Sequence, residues 1–166
     1  MAEKTLRRTT VRTVLICGLL LAVVFGLLYF AEDRLKGFAG NFADELQLGL
    51  TLFALWLFVS TGVRTLHGRH ERVPFHHLVL AGTLVSVVAG LVYMLFLFLY
   101  GSIERSPDGP DVMLSSAHLV LYALVVGLVV SLLTSINVKV VSRMLGNLLE
   151  LAVILILGGL LFYLSR

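Results

Sequence analysis

Apolar residues fill five stretches of this chain almost without interruption, and the polar and charged residues gather in the short segments between them. The stretches are 13–30, 46–63, 78–100, 112–134 and 144–164. A helix rises about 1.5 Å per residue, so roughly 20 residues cross the ~30 Å hydrocarbon layer of a bilayer. Inside that layer the backbone must satisfy its own hydrogen bonds, which leaves helices as the structure for successive spans of this kind. The pattern predicts an all-α polytopic membrane protein, a compact bundle of five transmembrane helices in a single domain.

The connecting segments refine this picture. In 31–45, Leu35, Phe38, Phe42 and Leu46 recur at helical spacing while Lys36, Asp44 and Glu45 fall elsewhere, which predicts a short helix lying on the membrane surface. Residues 106–110 read Ser-Pro-Asp-Gly-Pro, a dense run of turn formers that ends the third span. Residues 135–143 are few and moderately apolar, so the fourth and fifth helices should form a tight antiparallel hairpin.

Small residues recur every fourth position within the spans. Gly18, Ala22 and Gly26 form one stripe, Gly82, Ser86 and Gly90 a second, and Ala123, Gly127 and Ser131 a third. That spacing places each set on one helix face, where the missing side chains let another backbone come close; between apolar helices in lipid, such van der Waals contact is a main source of adhesion. Residues 16–29 also align with 80–93, sharing both glycines, a Val-Val pair and the final tyrosine. Helices one–two and three–four are therefore a candidate parallel repeat about an axis along the membrane normal, with helix five appended.

Composition and charge narrow the function classes. Of the 166 residues 58% are hydrophobic and 14% charged, well below the ~25% charged share of soluble domains. No connector is long enough to fold a soluble domain with its own core, so a large cytosolic enzyme is excluded. The net charge of +3 is a topology signal and does not imply nucleic-acid binding. Lys4, Arg7, Arg8, Arg12, Arg64, Arg69, Arg72, Lys139 and Arg143 fall on one side of the predicted spans. The other side holds Arg34, Lys36, Arg105 and Arg166, offset by seven carboxylates. Basic residues concentrate on the cytoplasmic side, so the N-terminus is expected in the cytoplasm and the C-terminus outside. Cys17, the single cysteine, lies within the first span and has no intrachain disulfide partner.

Candidate chemistry is sparse. Glu150 is an acidic residue inside a span, a placement that costs about 2.5–3.5 kcal/mol at mid-membrane and less near the interface, and that marks an ion or polar-contact site. Asn147 lies one turn earlier on the same face, within reach of its carboxylate. His67, His70, His76 and His77 cluster between the second and third spans, and His67-x-x-His70 are weak candidates for metal ligands, since no cysteine or well-spaced carboxylate beyond Glu71 completes the set. An axial haem pair of His118 with His76 or His77 fails on depth. No phosphate loop, zinc-protease helix or nucleophile with its base is present, and no cofactor is implied.

The stretch 51–103 joins a long apolar helix to Arg64-Thr-Leu-His-Gly-Arg-His-Glu-Arg72, Val73-Pro74-Phe75, and a Gly82, Ser86, Ala89 helix ending in Tyr100. With Val126 to Leu133 beyond, it resembles small four-pass bacterial inner-membrane proteins of an uncharacterised family. The likeness covers about the first 135 residues; helix five departs from it. It implies a compact helical fold in a bacterial inner membrane and transfers no site residues.

Together these features lead us to expect a non-enzymatic protein acting by association, as an accessory or scaffold subunit of a membrane complex or as a homo-oligomer, with lipid and other membrane subunits as partners. The rival classes are a small transporter, channel or pore using Glu150, and a redox subunit holding haem or metal.

Overall fold

The computed structural model describes residues 2–69, 73–104, 109–140, 146, 148, 150–153 and 156. Four long helices make up most of it: α1 (Ala2–Ala39), α2 (Ala43–Arg69), α3 (Phe75–Glu104) and α4 (Gly109–Val140). Each contains an apolar segment long enough to cross a bilayer, namely Thr5–Glu32, Leu46–Arg69, Phe75–Tyr100 and Leu121–Lys139. The chain is an integral, all-helical membrane protein. The expected fifth span lies mostly outside the described residues; those of it that are described, residues 146, 148, 150–153 and 156, are helical.

The first connector departs from expectation. Residues 31–39 form no separate surface helix but continue α1, which therefore runs for 38 residues. No proline falls between Phe30 and Ala39, and Lys36 Nζ bridges back to Glu32 at 2.5 Å, one turn away. The chain turns at Gly40, whose φ of +54° is a left-handed conformation that only glycine adopts freely. A single 3₁₀ turn, Gly40–Phe42, then leads into α2. At α4 the start is set by Pro110, whose fixed φ and missing N–H suit the first helical turn.

The helices alternate in direction. Val63 and Val85 of the inner pair and the side chains of Leu21, Leu55, Leu66 and Leu78 form a fully buried core. Among the described residues α1 and α4 do not touch, while α2 and α3 touch both of them and each other. The cross-section is thus a rhombus with α2 and α3 on its short diagonal.

The small-residue stripes locate the tightest approaches. On α3 and α4 they face one another in antiparallel register, Gly82 against Ser131 and Ser86 against Gly127. A Cβ on Gly82 would sit 2.8 Å from Ser131 Cβ and 2.9 Å from Val63 Cγ2, and one on Gly127 would collide with the Ser86 side chain. Ser131 Oγ uses this closeness to donate to the Val79 carbonyl at 2.7 Å, across the helix pair. Gly90, Ala123 and Ala22 are also buried. On α1, a Cβ at Gly18 would lie 2.7 Å from Val88 Cγ1 and 3.1 Å from the Val85 carbonyl.

Gly26 behaves differently, with nothing within 4 Å of the position its Cβ would take. Aromatic rings hold the helices apart at this level. Phe25 meets Tyr93 edge-on at 5.8 Å and Tyr29 meets Tyr100 at the same spacing. These pairs, with Gly18 against Val85 and Val88, show α1 and α3 running in the same direction.

Candidate functional site

The ends of the bundle differ in chemistry. One, the basic end, carries Arg7, Arg8 and Arg12 of α1, the closing turns of α2 and α4, and the start of α3. The buried polar residues of α2 and α4 collect here.

Glu150 lies at its centre, 3% exposed. Thr134 Oγ1 donates to Glu150 Oε1 and also lies 2.9 Å from the Val130 carbonyl, its own helical acceptor. Asn137 Nδ2 donates to Glu150 Oε2 at 3.1 Å, and the Arg64 guanidinium stands 3.5 Å from the same oxygen. Thr134 and Asn137 are three residues apart, so α4 presents both from one face. The chain returns antiparallel to α4, bringing Gly146 against Asn137 and Glu150 against Thr134. Gly146 matters sterically, because a Cβ there would overlap the Asn137 amide.

A buried carboxylate is costly unless it is paired and hydrogen-bonded. Here one cation from α2 and two neutral donors from α4 answer it. The Arg64 side chain is 35% exposed, so its stem runs through the packed region while its head keeps some access to solvent. The cluster is electrically neutral when the pair is ionised, and it ties the returning segment to α2 and α4 together. Close by in sequence, Ser135 Oγ and His67 Nδ1 are buried and among the described residues have no hydrogen-bond partner.

Of the polar residues singled out in the sequence, Glu150 is the one this geometry brings to a site. Asn147 and His70 lie outside the described residues, as does the side chain of His118. His76 and His77 are exposed at the start of α3, their ring centroids 4.5 Å apart. Among the described residues no three of histidine, cysteine, aspartate and glutamate come together. Arg64, Thr134 and Asn137 escaped the sequence reading. Thr134 and Asn137 carried one usable signal, two polar residues at i, i+3 in the last apolar turns of a span.

At the other end a cavity of about 340 Å³ lies among all four helices, within the usual range of small-ligand pockets. Its wall is mainly apolar, with Tyr29, Tyr93 and Tyr122 and the polar Gln47 and Thr51 around it. The Thr51 hydroxyl is committed to the Gln47 carbonyl at 2.8 Å. Comparison with known protein families, with curated proteins and with solved structures finds no match for this chain.

Proposed function

We propose that this is a non-enzymatic protein of a bacterial inner membrane that acts by association, with its basic end in the cytoplasm. One observation carries the reading: the projection of α1 at the far end. At 1.5 Å per residue its 38 residues span about 57 Å, nearly twice the hydrocarbon thickness. With Arg12 at one boundary, the layer ends near Glu32, where charged residues resume. Phe38 and Phe42 then stand beyond it, 88% and 73% exposed. Large aromatic side chains held clear of the lipid, one near the end of α1 and one in the turn after it, are the kind of surface that anchors a partner. The location and orientation rest on the excess of basic residues and on the resemblance to four-pass inner-membrane proteins.

The test is the native mass after gentle extraction, combined with a photo-crosslinking residue in place of Phe38. The expected result is an assembly larger than one chain, with Phe38 cross-linked to protein. A single chain whose Phe38 labels lipid alone overturns the reading.

Small-ligand transport is a second reading, favoured by the tyrosine-lined cavity. Glu150 lies at the opposite end and is already charge-paired, so this reading rests on the cavity. It requires an apolar solute to protect the protein thermally, and Tyr93→Ala to abolish that protection.

A further inference from the structure

At the basic end, Arg7, Arg8 and Arg12 of α1 and Arg69 of α2 converge on one open hollow of about 940 Å³. Below the arginines its wall is apolar, formed by Leu15 and Ile16, and Leu19 and Leu20 continue that surface half-exposed toward the lipid. The ion pairs among the described residues are Lys36–Glu32 and Arg64–Glu150, and neither uses these four arginines. Four like charges around one hollow repel each other, and an anion between them removes that cost. Guanidinium groups suit phosphate in particular, since their fixed fork binds two oxygens at once.

The vertical order selects among phosphate-bearing ligands. From Arg8 to Ile16 the helix rises about 12 Å, passing from a cationic rim at the interface to an apolar wall at acyl-chain depth. That sequence of chemistries matches a phospholipid standing beside the helix. Basic hollows between membrane helices are known to hold anionic headgroups. We propose that this hollow binds an anionic phospholipid, its phosphate between the arginines and one acyl chain along Leu15 and Ile16. The inference does not depend on the association reading.

The experiment presents the full chain, in mixed micelles, with equal amounts of phosphatidylglycerol and phosphatidylcholine, and reads retained lipid by native mass spectrometry. Retention of phosphatidylglycerol should exceed that of phosphatidylcholine about tenfold, and Arg69→Gln should lower that preference about fivefold. This variant leaves in place the α1 arginines that govern insertion. A charge-conserving Arg8→Lys/Arg12→Lys variant should give an intermediate preference, because it keeps the charge but loses the fork. Arg34→Gln, at the far end, should change nothing. Soluble glycerol phosphate separates the two sources of phosphate: it should fail to displace the lipid, and ready displacement would mean a site for the free anion, overturning the acyl-chain half of the proposal. Equal retention of the two lipids by the unmodified protein, or an undiminished preference in Arg69→Gln, overturns the whole of it.

Discussion

Arg64 and Glu150 meet at 3.5 Å across the basic end of the bundle, one from the closing turns of α2 and the other from the segment returning along α4. Their burial is unequal: the Arg64 side chain is 35% exposed and that of Glu150 2%. Solvent screens part of the attraction on the arginine side, so the two neutral donors on α4 carry much of what holds the carboxylate in place.

Removing Glu150 takes the acceptor from Asn137 Nδ2 and the facing charge from Arg64, while Thr134 keeps the Val130 carbonyl. Glu150→Ala should destabilise the protein in detergent by roughly 1–3 kcal/mol, since Asn137 loses its acceptor in a buried site. Arg64→Ala should be damaging in its own right, and the double variant should cost less than the sum, with a coupling of about 0.5–3 kcal/mol. Thermal or denaturant melts of the four proteins check this. Strict additivity would mean that the two side chains do not communicate.

The two kinds of glycine in the spans should answer differently to a methyl group. Gly127→Ala places a carbon onto Ser86 and should cost roughly 1–3 kcal/mol. Gly26→Ala meets open space and should be neutral or stabilise by up to about 1 kcal/mol through helix propensity. Adding Ser86→Gly to Gly127→Ala should restore part of the loss. Equal effects at Gly127 and Gly26 in a melt would contradict the described packing.

Ser131 tests the hydrogen bond apart from the steric fit. Ser131→Ala removes the donor to the Val79 carbonyl and should cost about 0.6 kcal/mol, a common size for such bonds inside membranes. Ser131→Val adds bulk against Gly82 and should cost distinctly more. Comparing the two midpoints separates hydrogen bonding from crowding.

The aromatic tip should matter to assembly and little to folding. Phe38→Ser/Phe42→Ser should leave the melting temperature within about 2 °C, because both rings are exposed. The same double variant should reduce the native mass to that of one chain. A large drop in melting temperature would instead make the tip a structural element of the bundle.

The helical class and four of the five expected apolar spans were legible from run length, because a bilayer imposes both a minimum length and internal hydrogen bonding. Helix ends were not. Hydropathy marks where lipid stops, whereas the backbone stops where it meets a breaker, so α1 passes through the charged residues 32–36 and halts at Gly40. Spacing reveals the stripes on α3 and α4, but the pairing of Gly82 with Ser131 and Ser86 with Gly127 depends on which helix lies beside which. Glu150 shows the same limit. Sequence spacing offers only neighbours on the same helix, hence Asn147, while Arg64, Thr134 and Asn137 come from elements brought together by the fold. Arg64 was also hidden by a second role, since a basic residue near a span end reads first as a topology marker.

Gly40 makes the height of the tip an adjustable length. Among the described residues the buried core draws on none of residues 33–39, so the position of this one glycine sets how far Phe38 and Phe42 stand above the lipid. Four alanines inserted between Arg34 and Leu35, with four more ahead of Leu46 to lengthen α2 equally, would raise both rings by about 6 Å and turn Phe38 some 40° around the helix axis. A protein with such a spacer meets its neighbours at a distance written in the chain as a residue count, and that distance can be lengthened or shortened without repacking the membrane core.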